Sequence, residues 1–147
     1  MKELSDSFYK NVCETIPILC VDALIELNNK FLLIKRNQEP LKNHFWVPGG
    51  RVFHKEKIED ALFRICLREI GIDIKNINCE YSIFGFTETI YPFSRVSKSP
   101  YHTPAIVFRV KIKQQIEIIL DSTSSEYLWS DKIPKILLKE LKKLKSI

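Results

Sequence analysis

The hydrophobic positions of this chain change period along its length, and the changes mark its elements. Residues 18–27 and 31–36 are runs of aliphatic and β-branched side chains on either side of Asn28-Asn29, the signature of two strands joined in a hairpin. Over residues 57–70 the period becomes helical: Ile58, Ala61, Leu62, Ile65, Cys66 and Ile70 recur at spacings of three and four, and Gly71 is placed to end the helix. Residues 81–87 and 105–112 read as further strands. Between them, residues 88–103 are polar and carry Pro92 and Pro100, which predicts an irregular loop. Tyr127-Leu128-Trp129 is short and β-like, and Ser130 or Asp131, with Pro134 in the first turn, opens a last helix. In that helix Leu138, Leu141 and Leu144 form the apolar face, flanked by Lys139, Lys142, Lys143 and Lys145. At the other end Ser5 or Asp6 caps a short helix with Leu4, Phe8, Tyr9 and Val12 as its apolar stripe, and Pro17 stops it.

Strands and helices mix without repeats or linkers, so the fold class is α/β (α+β) in one domain over residues 1–147. That length suffices for a core that is stable without disulfides or structural metal. No apolar run is long enough to span a bilayer and no signal peptide is present, so a soluble cytoplasmic protein with no membrane partner is expected. Cys13, Cys20, Cys66 and Cys79 sit in apolar contexts without metal-ligand spacing and are expected to be free thiols. The net charge of +5 suits a polyanionic ligand, but much of it belongs to the wet face of the last helix, so nucleic acid is not expected.

The chemistry concentrates around a glycine pair. Trp46-Val47-Pro48 leads into Gly49-Gly50, where the backbone can approach a ligand closely. Arg51, Glu56, Arg64, Glu69 and Gly71 then follow at fixed intervals along the loop and helix. A diphosphate must be neutralised before a bond to it can break, and magnesium does this through carboxylate and carbonyl oxygens. Gly50 can offer a carbonyl and Glu69 a carboxylate. Arg51 and Arg64 can clamp phosphate oxygens with paired donors. Glu56 suits the positive end of the helix.

This spacing resembles the Nudix box, here residues 50–72. The family pattern places three metal-binding carboxylates at the positions of Ile65, Arg68 and Glu69, of which only Glu69 is acidic. Within the superfamily the chain resembles the GDP-mannose mannosyl hydrolases, which also lack two of the usual glutamates. Phe31–Arg36, Pro40, Phe45-Trp46-Val47-Pro48-Gly49-Gly50-Arg51-Val52, Asp22 and Tyr127-Leu128-Trp129 carry the likeness, which covers about residues 16–133.

The resemblance implies a mixed central sheet sandwiched between helices. It implies a single Mg2+ (or Mn2+) at Gly50 and Glu69, and diphosphate contacts from Arg36, Arg51 and Arg64. Asp22 matches a site aspartate, and Arg36 belongs to the catalytic machinery as well. It further implies a homodimer, and a reaction in which water attacks the anomeric carbon of a nucleoside diphosphate sugar. The family's base and its neighbouring ligand, His and Gln, align with Ser124 and Thr123. Glu126 is therefore the first candidate for the base, ahead of Glu88 and His102. Three readings stand open: the sugar-releasing hydrolase, a Nudix hydrolase cutting a phosphoanhydride in another nucleotide, and a non-hydrolytic binding protein.

Overall fold

The computed structural model describes residues 4–143. Its elements in chain order are α1 (Asp6–Thr15), β1 (Cys20–Leu27), β2 (Lys30–Arg36), β3 (Phe45–Trp46), β4 (Gly49–Arg51), α2 (Ile58–Ile70), β5 (Cys79–Tyr91), β6 (Tyr101–Ile112), β7 (Ser124–Ser130), α3 (Lys135–Glu140) and β8 (Lys142–Lys143). The strands form one sheet in the order β3-β2-β1-β6-β5-β8, with β4 paired to β1 and β7 to β2. β1 and β6 run parallel while the other pairs are antiparallel, so the sheet is mixed as expected.

β1 is central and helices cover both of its faces, which is why nearly every residue in it is buried. Val21, Ala23, Ile25 and Leu27 face α2 and pack with Ala61, Leu62, Ile65, Cys66 and Ile70. Leu24 faces the other way, into a second core with Leu33, Trp46, Val107 and Leu137 of α3. α2 ends at Gly71, whose φ of 71° is the left-handed conformation that favours glycine. The Gly71 and Ile72 N–H groups close the helix onto the carbonyls of Leu67 and Cys66. α1 is capped by Ser5, whose Oγ accepts the Phe8 N–H. Tyr9, Val12 and Cys13 of α1 pack on their own domain against Ile18 and Tyr101, while Leu4 and Phe8 remain exposed. Cys13 and Cys66 are buried and Cys20 and Cys79 half-buried; all four are free thiols.

Two expectations are corrected. The irregular loop shrinks to residues 92–100, because β5 and β6 continue pairing as far as Tyr91 and Tyr101. The polar residues of this stretch are strand residues whose two faces are both solvent- or pocket-lined. The last helix begins only at Lys135 and stops at Glu140, and Lys142 and Lys143 then pair with Phe86 and Gly85. Ser130 does not start it; that residue ends β7, and its Oγ accepts the Lys132 N–H and donates to the Lys132 carbonyl in a turn. After the helix the chain returns against Gly85, where a Cβ would lie 2.5 Å from the Lys142 carbonyl oxygen, so only glycine admits it. Leu144 and Lys145 lie outside the described residues. No helix of the described residues is long and apolar enough to cross a membrane.

Ile65 carries the α2 contact with no exposed surface. Ile65→Ala is expected to cost about 2–5 kcal/mol in unfolding free energy, read from urea denaturation.

Candidate functional site

The site is a pocket where the ends of β1, β4, β5 and β6 meet the loop after β2. Its geometry depends on Gly49. The Gly49 N–H donates to Glu69 Oε2 at 3.0 Å, tying β4 to the end of α2. On its other side a Cβ at Gly49 would lie 2.1 Å from Asp22 Oδ1, so no larger residue fits beneath that carboxyl. β4 thus brings Gly49, Gly50 and Arg51 to the pocket wall beside Asp22 of β1. Arg36, at the end of β2, enters from the opposite rim with its Nε donating to the Pro40 carbonyl at 2.7 Å. The Arg51 guanidinium stacks at 4.5 Å from the Tyr9 ring centroid and 5.1 Å from that of Phe53. Among the described residues neither Arg36 nor Arg51 forms an ion pair.

The far wall comes from strand alternation in the β5–β6 pair. Thr87, Thr89 and Tyr91 on β5, and Tyr101, Thr103 and Ala105 on β6, all point into the pocket. Burial pushes the Tyr91 hydroxyl up to about 12, so it stays a neutral donor at physiological pH. Burial likewise lifts the Asp22 carboxyl to about 7; the Arg36 charge opposes this and the Glu69 charge adds to it.

Asp22, Arg36, Gly50 and Arg51 are therefore gathered at one pocket. Arg64 is not among its lining residues. Its Nε and Nη2 donate to the Glu56 carboxylate at 2.6 and 2.9 Å, and Nη2 also donates to the Arg51 carbonyl. Its guanidinium, 3.9 Å from the Phe53 ring, braces Arg51 from behind. The Arg64 pairing holds the Glu56 carboxyl below its usual range. Glu126 lies away from the pocket, exposed, with its carboxylate 2.5 Å from Lys35 Nζ across the β2–β7 pair. Glu88 and His102 contact each other at 3.2 Å, and alternation turns both to the sheet face opposite Thr87, Thr89 and Thr103. Thr123 donates to Asp121 at 2.5 Å, and Ser124 is buried.

The residues near Glu69 do not fit a divalent cation held by the protein alone. Such an ion takes six or more oxygen ligands. Glu69 is the box's one carboxylate at the helix end, and both its oxygens are engaged, one by the Gly49 N–H and one by Arg68. No group of three His, Cys, Asp or Glu side chains with metal-binding spacing occurs among the described residues. Sequence reasoning missed several contributors: the Arg68–Asp121 contact, the threonine wall, and Arg95, which lines the pocket while held by Asp6. Of these, only the Thr87-Thr89 alternation left a signal in the sequence.

A family model described as the NUDIX domain matches residues 17–131. Curated relatives include the low-salt glycan biosynthesis protein Agl8 of Haloferax volcanii, 34% identical over 71 residues, covering 48% of this chain and 46% of that protein. An ADP-ribose pyrophosphatase of Methanocaldococcus jannaschii is 45% identical over 56 residues, covering 38% of this chain and 33% of that one. The chain thus matches less than half the length of either relative. Among solved structures, a MutT protein from Methanosarcina mazei shares the fold with a TM-score of 0.64 at 24% identity, covering 89% of this chain and 87% of that one. The NUDIX domain of Shewanella oneidensis NrtR, solved with ADP ribose, gives a TM-score of 0.61 at 14% identity, with 95% and 90% covered.

In the unfolded chain Asp22 titrates near 3.8, and in the fold near 7. A carboxyl raised in this way contributes stability that is full below pH 4 and is lost as pH climbs through 7. Asp22→Asn removes the buried charge, so its melting temperature should gain on the parent's between pH 5 and pH 8, by roughly 5 °C. Equal pH profiles for the two proteins would show that Asp22 ionises freely in the fold.

Proposed function

The chain belongs to the NUDIX domain family, and within it we propose that the protein hydrolyses a nucleoside diphosphate sugar, in the manner of the GDP-mannose mannosyl hydrolases. The observation that carries this reading is the pair Arg36 and Arg51, two guanidinium groups without a carboxylate partner among the described residues, at one pocket. Attack at the anomeric carbon asks the protein to hold and neutralise a departing diphosphate, which paired guanidinium donors do well. The hydroxyls of Thr87, Thr89 and Tyr91 supply donors and acceptors suited to a sugar.

In the reaction a water oxygen forms a bond to the anomeric carbon, and the bond from that carbon to the diphosphate oxygen breaks with its electron pair leaving on the diphosphate. The water proton goes to Asp22. That role falls to Asp22 because Glu126 is paired with Lys35 outside the pocket, and Glu88 and His102 face the other side of the sheet. The name of the Haloferax relative, a glycan biosynthesis protein, agrees with a sugar nucleotide substrate.

A second reading rests on the ADP-ribose pyrophosphatase relative, which is 45% identical over 56 residues. It has water attacking phosphorus. Product analysis of GDP-mannose and ADP-ribose incubations separates the two. Free sugar plus nucleoside diphosphate supports attack at carbon; sugar phosphate plus nucleoside monophosphate supports attack at phosphorus and overturns the first. Arg51→Lys keeps the charge but loses the paired contact and the stacking on Tyr9. It should weaken nucleotide binding about ten-fold by calorimetry, and unchanged affinity would remove Arg51 from the site.

A further inference from the structure

Three residues of α2 face the glycine strand at i, i+3 and i+4: Ile65, Arg68 and Glu69. Ile65 is fully buried, and its side chain lies 3.7 Å from where a Gly50 Cβ would stand. Glu69 is 4% exposed, so its charge is withheld from water and must be balanced locally. Arg68 supplies the balance. Its Nη2 donates to Glu69 Oε1 at 2.5 Å, and its Nε lies 3.6 Å from Asp121 Oδ2 in the segment before β7. The same Nη2 is 3.5 Å from the position of a Gly50 Cβ, so the guanidinium lies on the α2 side of the β4 backbone; Arg68, unlike Gly50, is not itself among the residues lining the pocket. Nη1 takes part in neither carboxylate contact, and the side chain is 46% exposed.

We propose that Arg68 is the protein's own cation at this site. It joins Glu69 to Asp121 in the way a divalent ion would, and offers its remaining donors to an anionic group lying against Gly50. A guanidinium is charged at every physiological pH and binds oxygens in a plane, so it bridges the two carboxylates and offsets one of their two charges. With one Glu69 oxygen accepting from the Gly49 N–H and the other from Arg68, a divalent ion gains full use of this carboxylate only by displacing the guanidinium. Binding of a diphosphate in this pocket is then independent of divalent metal. The ligand half of this inference rests on the pocket being a diphosphate site, while the metal half does not.

Two measurements keep the halves apart. The first is Mn2+ binding to the protein alone, followed by electron paramagnetic resonance without nucleotide. The parent should bind Mn2+ no better than a surface carboxylate does. Arg68→Glu, which adds a third carboxylate beside Glu69 and Asp121, should bind it at least about ten-fold more tightly. Tight Mn2+ binding by the parent, or no gain in Arg68→Glu, overturns the metal half.

The second is calorimetry with ADP-ribose, in EDTA and in excess magnesium. The parent's affinity should agree between the two buffers within about two-fold. Arg68→Ala should lose about ten-fold in EDTA and recover it in magnesium, and Arg68→Lys should keep most of the affinity in both. Binding by the parent only in magnesium overturns the proposal. Absence of binding in either buffer overturns the diphosphate reading of the pocket, with the Mn2+ result still deciding the role of Arg68. Melting curves establish that each variant is folded, and Arg68→Lys stands in if Arg68→Ala is not.

Discussion

The close approach at Gly49 of β4, β1 and the Glu69 carboxylate of α2 sets the rest of the structure. β4 can pair with β1 and still receive the end of α2 only because no side chain stands between Asp22 on one side and Glu69 on the other. The Gly49 N–H is anchored by a buried carboxylate, so the strand cannot slide without leaving that carboxylate without its donor. Arg51, two residues on, is delivered to the pocket as a consequence, and Arg64 holds its carbonyl from the helix. The fold positions its guanidinium groups through this one packing constraint rather than through a flexible loop.

Charge is arranged around the same point. Buried carboxylates cost free energy unless paired, and the molecule pairs them unevenly. Glu56 has Arg64, Glu26 has Arg109, and Glu69 has Arg68. Asp22 has no ion pair among the described residues; burial raises its carboxyl, and the Arg36 charge and a hydrogen bond with Trp46 only partly oppose this. Arg36 and Arg51 are left to face solvent in the pocket. Such an arrangement is costly for an empty site and favourable once an anion enters, which links the stability of the apo protein to the chemistry of its ligand.

The hairpin and the α2 helix were legible because each buries a face of constant period, from Val21 to Leu27 and from Ala61 to Ile70. The glycine pair and Arg51 stood out by their spacing, while Arg36 and Asp22 were named only through the family resemblance; the fold gathers all of them at one pocket. What escaped were features made by partners distant in sequence. The return of Lys142 and Lys143 to β5 depends on the missing Cβ of Gly85, and nothing in the local sequence of either segment announces it. The polar strand ends at Thr87–Tyr91 resembled a loop because their inward face lines a pocket instead of a core. Arg64 looked like a ligand-binding residue by spacing, but Glu56 sits one helical reach away and engages it. Glu126 met Lys35 through a strand register that only the folded sheet defines.

The central claim is that the pocket walled by the glycine strand and the threonine face receives a diphosphate. Amide chemical-shift mapping during titration with a nucleoside diphosphate sugar tests it most directly. The account predicts the largest shifts at Gly49, Gly50, Arg51, Thr87 and Thr103, with the outer face of β5 unmoved. Shifts centred instead on the groove formed by Glu80, Ser82, Arg109 and Lys111 would contradict it.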